Sequence, residues 1–261
     1  MHASEREERI LEMVAERRFL SFQDLDKALG ASPATLRRDL ARLADGGKLL
    51  RVRGGVRLQA AGAAETAANR LVGTPFLDNA SRSPDEKRAI GRAAAAMCSL
   101  GEGVMIDGGS TTLQMCDHLA GLGLQVLTNS LHIVSALLAQ DNTSVLVPSG
   151  TVFREQNIIL SAGGEDSMPR FHAPKLFMGA AAIGPAGLMQ ADVILVAAER
   201  RLIERAERVI VLVDSTKFRG SSGAVVCSLE DIDVVVTDAG IGDEDRGMLD
   251  EAGIEVVIAN E

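Results

Sequence analysis

Apolar residues recur every three or four positions in the first part of the chain, a spacing typical of short amphipathic helices. We predict three: one over 5–17, a second that Ser21 caps, and a third that Ser32 caps with Pro33 in its first turn. Gly30 permits a tight turn between the last two. The apolar positions expected to face a shared core are Ile10, Leu11, Val14, Leu25, Ala28, Leu29, Leu36, Leu40 and Leu43. This order of helices predicts a helix-turn-helix.

The third predicted helix carries a polar stripe opposite its leucines. At about 100° per residue, Thr35, Arg38 and Arg42 share one side and Arg37 lies on a flank. Arginine in the major groove can bond guanine through two hydrogen bonds, whereas other cations hold phosphates without reading sequence. The stripe therefore predicts a DNA recognition helix. The alternative is that these charges are simply the solvent-exposed face of a surface helix. That alternative does not require the helix caps, the turn and the leucine stripe all to fit one helix-turn-helix.

Basic and apolar residues alternate after the glycines that end this helix, which predicts a two-stranded wing. Gly54-Gly55 is the expected two-residue turn, since both central positions of a type I′ turn favour positive φ. The apolar positions of the wing are Leu50, Val52, Val56 and Leu58. The candidate DNA-binding residues of helix and wing are Ser32, Thr35, Arg37, Arg38, Arg42, Arg51, Arg53 and Arg57.

The rest of the chain has a different pattern. Residues 59–82 are small, polar and aperiodic, which predicts a linker between a DNA-binding domain over 1–58 and a larger domain over 83–261. In the larger domain short β-branched runs alternate with amphipathic helices, which favours an α/β fold with a mostly parallel sheet covered on both faces. The predicted strands are Val104–Asp107, Gln125–Thr128, Val145–Val147, Leu176–Gly179, Val209–Val213, Val234–Thr237 and Val256–Ile258. Ala191–Arg205 can be read as strand or helix, and we favour a helix.

Charge is divided unevenly between these parts. The net charge is −9, but residues 1–58 hold 12 Lys/Arg against 9 Asp/Glu, and the remainder holds 15 against 27. A basic block on an acidic protein indicates a polyanion partner. No apolar run approaches membrane-spanning length and the charged start lacks a signal sequence, so we expect a soluble cytoplasmic protein.

The sequence indicates neither a metal site nor a cofactor. Cys98, Cys116 and Cys227 lack the spacing of metal ligands, and small buried hydrophobes are the expected role. A redox-responsive regulator that uses these thiols stays open as an alternative.

One candidate ligand site follows the strand that ends at Asp107. Gly108 and Gly109 let backbone N–H groups approach an anion, and the hydroxyls of Ser110, Thr111 and Thr112 add donors before a predicted helix begins. The loop lacks the Gly-Lys-Ser/Thr of a nucleotide-binding P-loop. The alternative is an ordinary strand-to-helix turn with Ser110 as the cap.

Further polar residues follow other predicted strands, where ligands of parallel sheets bind. Asp214 could accept sugar hydroxyls, and Lys217 could pair with a phosphate or be an ordinary solvated lysine. Thr128, Asn129 and Ser130 offer small donors after another strand, and Glu199 either faces a pocket or pairs with neighbouring arginines.

The N-terminal motif resembles the signature of the DeoR family of bacterial transcriptional regulators. The resemblance is carried by SPATLRRDLARLADGGKLLRVRGGVRL. Arg53 departs from it, because the family commonly has His there; the cationic donor is kept, but base preference near the wing can differ.

The larger domain resembles the effector domain of the same family through IDGGSTT, LTNS, LVPSG, LFMGAAAI, VILVAAERRLIERA, VIVLVDSTKF and DIDVVVTDAG. That domain is similar to ribose-5-phosphate isomerase. The resemblance implies a phosphorylated sugar bound by the Asp107–Thr112 loop, the Thr128–Ser130 turn, Glu199, Asp214 and Lys217, with Gly150 nearby. Ser149-Gly150 replaces a common Gly pair, which can narrow the pocket. QNIILSAGGEDS resembles the ascorbate-utilisation branch.

We therefore expect a homo-oligomeric repressor of a carbohydrate-utilisation operon, controlled by a phosphorylated sugar or sugar acid. The effector would favour a state whose paired DNA-binding heads no longer match the operator. The alternative is a sugar-phosphate isomerase with an accessory DNA-binding module, in which Glu199 or Asp107 would act as the general base.

Overall fold

The computed structural model describes residues 6, 9–11, 13–14, 19–29, 35–36, 39–40, 43, 49–52, 55–58, 75–160, 169–220 and 223–260. The chain divides into two compact units, Met1–Thr66 and Ala67–Glu261. The predicted boundaries at 58 and 83 differ from this division. Part of the predicted linker is folded, because Phe76–Ala80 forms a helix whose Phe76 is buried. Residues 59–74 lie outside the described residues.

The first unit contains the predicted helices around one aliphatic core. The described residues of the first and third predicted helices are helical, and the second helix, α1, spans Phe22–Leu29, directly after Ser21. The core consists of Ile10, Val14, Leu20, Leu25, Leu29, Leu36, Leu40, Leu43 and Val56. The leucine stripe of the third helix is thus buried as predicted.

Inside this unit an ion pair joins the first helix to the third. The Arg6 Nε donates to the Asp39 Oδ2 at 2.7 Å, and Asp39 is 1% exposed. Asp39 directly precedes the buried Leu40 of the leucine stripe. The ion pair therefore fixes the third helix against the first by polar contacts, in addition to the apolar ones.

The wing is a three-stranded sheet instead of a two-stranded ribbon. Strand β1 (Phe19–Ser21) pairs with β3 (Gly55–Leu58), which pairs with β2 (Leu49–Val52), all antiparallel. Val52 pairs with Gly55, so residues 53 and 54 connect the strands and the predicted Gly54-Gly55 turn is wrong by one position. Either glycine permits a tight turn, and the register is the one that buries Val56 in the core.

This register also changes how the basic positions are divided. Arg51 is paired with Val56, and Arg57 with Leu50. Because directly paired residues share a face of a sheet, positions 51 and 57 fall on opposite faces. The alternation in sequence therefore does not separate a basic face from an apolar one.

The second unit is built on a seven-stranded sheet in which every pair is parallel. All seven predicted strands are present, with bounds shifted by a few residues. They are β4 (Gly103–Ile106), β5 (Gln125–Leu127), β6 (Ser144–Leu146), β9 (Ala173–Met178), β12 (Ala206–Leu212), β14 (Val234–Asp238) and β15 (Glu255–Ala259). Their order in the sheet is β15-β14-β12-β9-β4-β5-β6.

Both faces of this sheet are covered. Val104 and Ile106 of β4 belong to one buried cluster, and Met105 between them belongs to another. The α-helices are α2 (Phe76–Ala80), α3 (Pro84–Ala95), α4 (Leu131–Leu137), α5 (Val193–Ile203) and α6 (Asp243–Glu251). The ambiguous Ala191–Arg205 segment is therefore helical, as favoured. No helix in the described parts of the chain is long and apolar enough to cross a membrane.

Two small antiparallel elements have no counterpart in the sequence prediction. Strands β7 (Thr151–Phe153) and β8 (Ile158–Leu160) form a hairpin. Strands β10 (Ala182–Gly184), β11 (Gly187–Gln190) and β13 (Ala224–Cys227) form a second sheet. These strands are three or four residues long and pair in small antiparallel sheets.

Candidate functional site

The candidate effector residues gather where β4, β5 and β12 end. Asp107 follows β4, Thr128 follows β5, and Asp214 lies two residues beyond β12. Strand β9 separates β4 from β12, so these two strands are about 10 Å apart across the sheet, twice the usual strand spacing. Gly179 directly follows β9. The parallel topology therefore brings together residues from distant parts of the sequence.

The Asp107 carboxyl is fixed by its neighbours. It is 2% exposed, its Oδ1 accepts a hydrogen bond from Asn129 Nδ2 at 2.8 Å, and Asn129 Oδ1 accepts from the Gly108 N–H at 3.0 Å. The Thr112 hydroxyl donates to the Asp107 and Gly109 carbonyls at 2.8 and 3.0 Å. Burial raises the pKa of Asp107 to about 6, although its hydrogen bonds with Asn129 and Gly108 oppose the rise.

Gly108 is required by close packing. A Cβ atom there would lie 2.8 Å from the Ile158 Cδ1 and 3.2 Å from the Ser130 Cβ. Since Ile158 begins strand β8, the hairpin of β7 and β8 closes over the Asp107 loop.

The sequence predicted an α-helix directly after this loop. The structure has a 3₁₀ helix there, over Thr112–His118. Its N-cap is Thr111, so the alternative that Ser110 merely caps the helix is wrong. The Ser110 hydroxyl is buried, and it has no hydrogen-bond partner among the described residues. A buried hydroxyl of this kind is available to a ligand.

The Thr128–Ser130 turn has a partly structural role. The Thr128 Oγ1 accepts from the Ser130 N–H at 3.2 Å, and the Ser130 Oγ caps α4 by accepting from the Ile133 N–H at 3.4 Å. Of the three predicted residues here, Asn129 is the one bonded directly to Asp107.

Glu199 of helix α5 is buried near enough to Asp107 for that charge to affect its pKa. It is 3% exposed, and its Oε1 accepts from Gln190 Nε2 at 2.6 Å, while its Oε2 has no hydrogen-bond partner in the described structure. Burial raises the pKa of Glu199 well above its usual range, and the nearby Asp107 charge raises it further. Of the two sequence alternatives, a Glu199 that faces the site fits this geometry; no described ion pair joins it to a neighbouring arginine.

The Lys217 ammonium belongs to a cationic group that the sequence did not predict. Lys87 of α3 is 2% exposed, and its pKa is lowered to about 8 by burial first and by the Lys217 charge second. Burial also lowers the pKa of Lys217, with Arg82 adding to the effect and Asp214 opposing it. Among the described residues, no carboxylate forms an ion pair with Lys87 or Lys217.

Lys87 has no clear signal in the sequence. It lies in PDEKRAIGRAAA, between Glu86 and Arg88, where a charged residue is expected to be exposed. Its only pattern signal is the helical spacing of 87, 90, 91 and 94, all of them buried positions.

Asp214 accepts from the Thr216 N–H at 3.1 Å, and from the Thr216 hydroxyl, and so fixes the turn that carries Lys217. Gly150 is exposed and directly precedes β7, and its place in the site stays a prediction.

The candidate DNA-binding side chains can be placed only in part. Thr35 is helical and half-buried, next to the buried Leu36. Arg51 and Arg57 lie in β2 and β3, but their side chains are outside the described residues, as are Ser32, Arg37, Arg38, Arg42 and Arg53.

The cysteines are not arranged for metal or redox chemistry. In the ranges that the structure describes, no group of His, Cys, Asp and Glu could hold a metal ion. All three cysteines are free, and burial raises the pKa of each to about 12. A thiol this weakly acidic holds little of the reactive thiolate, which disfavours the redox-responsive alternative.

Comparison with known proteins decides the family. Residues 6–61 match the DeoR-like helix-turn-helix domain, and residues 82–239 match the DeoR C terminal sensor domain. The chain belongs to the DeoR family of transcriptional regulators. The resemblance in sequence is thereby confirmed over both domains.

Full-length relatives agree. The chain is 30% identical over 258 residues to the HTH-type transcriptional regulator UlaR of Shigella dysenteriae and to that of Escherichia coli, covering 98% of this chain and 99% of each relative. The family and these relatives are regulators, so the chain is a DNA-binding transcriptional regulator with a sensor domain, and the enzyme alternative is not supported.

A ribose-5-phosphate isomerase solved with phospho-erythronic acid is similar to part of the fold. Its TM-score is 0.37 at 17% identity, over 52% of this chain and 54% of that one. A likeness at this level carries no argument about ligand or activity.

Proposed function

We propose that this regulator represses a carbohydrate-utilisation operon, and that a phosphorylated sugar or sugar acid controls it by binding where β4, β5 and β12 end. The supporting relatives are the HTH-type transcriptional regulators named UlaR. We place the regulator in the cytoplasm, where its operator DNA is.

One observation carries the proposal: the buried Lys87 has the Lys217 charge near it, and neither lysine has an ion-pair partner in the described residues. Two such cations repel each other, and an anion with two charges removes that repulsion. A phosphate also accepts several hydrogen bonds at once, which suits ammonium donors.

The other half of the site suits the sugar. Asp107 and Asn129 present fixed polar atoms, and Glu199 Oε2 and Ser110 Oγ are buried atoms that a ligand hydroxyl or carbonyl can satisfy. The spacing of about 10 Å between the ends of β4 and β12 leaves room for a sugar chain between its phosphate and the carboxyls. We assign the remaining predicted residues, including Gly109, Thr111, Thr112, Thr128, Ser130 and Gly150, to the walls of this site.

Thermal unfolding tests the proposal, because a ligand that binds only the folded state raises the melting temperature. We expect a rise with phosphorylated sugars or sugar acids, none with the dephosphorylated compounds, and a loss of the rise in Lys217→Met. Arg88→Met, which removes an exposed cation from α3, is the control and should keep the full rise. If no phosphorylated compound raises the melting temperature, the effector proposal is wrong.

For the DNA-binding unit, we propose that Arg38 reads bases and that the wing arginines hold phosphates in a symmetric dimer or larger oligomer. Arg38→Ala should weaken specific operator binding, measured by mobility shift against random duplex, while sugar-phosphate binding stays intact. Equal loss of both would contradict two separate sites.

A further inference from the structure

Helix α2 is the first described element after the DNA-binding unit, and its start is tied to the hairpin beside the Asp107 loop. The Phe76 N–H donates to the Glu155 carbonyl at 3.2 Å, and the Phe76 ring stacks on His132 with ring centroids 4.0 Å apart. The His132 Nε2 in turn lies 3.0 Å from the Asn157 Nδ2. Glu155 and Asn157 belong to the connection between β7 and β8.

The end of α2 is tied to the cationic group. The Lys87 ammonium donates to the Asn79 carbonyl, which also accepts the Arg82 N–H at 3.2 Å. Lys87 therefore contacts α2 directly, and the Lys217 charge is near enough to lower the pKa of Lys87.

A carboxylate partner does not account for the burial of this lysine. A buried ammonium is costly, and a stabilising one is normally paired with a carboxylate. Lys87 instead faces the cations Lys217 and Arg82, with Asp214 and the exposed Glu86 as the nearby carboxylates. Of its three N–H donors, one has a partner in the described structure.

We propose that Lys87 couples effector binding to helix α2: an anionic group held by Lys217 draws the Lys87 ammonium away from the Asn79 carbonyl, which loosens the end of α2. Residues 59–75 join the DNA-binding unit to α2 in the sequence, so α2 lies between that unit and the effector site along the chain. The inference rests on the proposed function in requiring an anion at Lys217. In this scheme Lys87 acts on α2 in addition to meeting the anion beside Lys217.

When Lys87 moves away, the Asn79 carbonyl still accepts a hydrogen bond from the Arg82 N–H. The movement therefore does not leave this carbonyl without a donor. The stack of Phe76 on His132 holds the other end of α2 in place. The coupling therefore loosens one end of α2 and does not require the helix to detach.

Hydrogen exchange of the full-length protein, followed by mass spectrometry, tests the coupling with inorganic phosphate as the probe and chloride at equal ionic strength as the reference. We expect phosphate to speed exchange across residues 76–82 roughly tenfold, as expected when a hydrogen bond to a charged group is lost. Arg88→Met should respond as the native protein does. Lys87→Met should not respond, because its α2 has no ammonium to lose.

Unchanged or slower exchange in the native protein, or an equal response in Lys87→Met, would overturn the coupling. Should Lys87→Met not fold, Lys217→Met gives the second arm: its Lys87 contact is intact and its anion anchor is gone, so phosphate must leave 76–82 unaffected. If phosphate does not change exchange in residues 76–82 but sugar phosphates still raise the melting temperature, the coupling is wrong and the effector proposal stands.

Discussion

At the scale of single residues, the candidate effector site consists of groups whose burial makes their charged forms unfavourable. Asp107 and Glu199 have raised pKa values, whereas Lys87 and Lys217 have lowered ones. In each case burial is the largest cause. Such perturbed groups cluster at functional sites because a bound ligand can supply the missing partner.

The two carboxyls predict a pH dependence of stability. A carboxyl with a raised folded-state pKa stabilises the fold fully below its unfolded pKa, about 4, and this contribution is lost as the pH rises through its folded pKa. For Asp107 that value is about 6. The pKa of Glu199 is raised as well, so we expect Glu199→Gln to gain stability relative to the native protein as the pH rises from about 5 to about 8.

Urea unfolding at the two pH values measures this change. The exposed Glu251 provides the control, and Glu251→Gln should keep the native pH profile. If Glu199→Gln keeps the native dependence of stability on pH, the Glu199 carboxyl does not cause the loss of stability at higher pH.

Gly108 predicts a steric effect. Gly108→Ala should lower the free energy of unfolding by about 1–3 kcal/mol, because its Cβ meets Ile158 and Ser130 in a packed region. Gly247 of helix α6 is the control, since no described atom lies within 4 Å of the place that an added Cβ would take. Gly247→Ala should be neutral or stabilising by about 0.5–1 kcal/mol. Chemical denaturation compares the two, and equal free energies would contradict the close packing.

At the scale of elements, helices are fixed by a few contacts that the hydrophobic pattern does not reveal. The third helix of the first unit is held by its leucines and by the pair between Arg6 and Asp39. Helix α3 approaches the 3₁₀ helix Thr112–His118 so closely that a Cβ on Gly91 would lie 2.5 Å from the Gln114 Cβ. Both contacts orient a candidate functional element.

The pair in the first unit predicts a local loss of stability. Asp39→Ala leaves the mostly buried Arg6 cation without this carboxylate, and breaking a buried pair costs about 3–5 kcal/mol. We expect the first unit to unfold at a lower temperature and operator binding to weaken, while sugar-phosphate binding in the second unit persists. Calorimetry measures the unfolding temperature of the first unit. An unchanged unfolding temperature for that unit would contradict the prediction. Asp85→Ala, which removes an exposed carboxylate, is the control.

At the scale of the whole molecule, an acidic sensor unit accompanies a DNA-binding unit with an excess of basic residues. Regulation requires that effector and operator each change the affinity of the other by the same factor, since binding free energies are linked. A typical coupling is about 1–3 kcal/mol, or roughly 5–150-fold.

We therefore expect a saturating sugar phosphate to weaken operator binding by a factor in that range, and saturating operator DNA to weaken sugar-phosphate binding equally. Fluorescence anisotropy measures the first and calorimetric titration the second. Operator affinity should also fall with salt by roughly 0.9 log units per log unit for each phosphate contacted. Unequal factors, or affinity that does not depend on salt, would contradict the scheme.

Much of this organisation follows from the sequence alone. The seven parallel strands, the leucine stripe and the helix over Val193–Ile203 follow from local patterns, because burial on one side of a helix or both sides of a strand sets the spacing of apolar residues. The loop of Asp107 and the turn of Lys217 can be identified in the same way, because ligand residues follow parallel strands at one edge.

The tertiary structure decided the rest. The one-residue shift of the wing turn, the added strand β1 and the hairpin over Gly108 depend on pairing between segments, which short strands do not encode locally. The role of Lys87 depends on it most. In the sequence, a lysine between charged neighbours is expected to be exposed. The packing of α3 against α2 and near the turn of Lys217 buries it, and places it beside both the Asn79 carbonyl and the Lys217 charge.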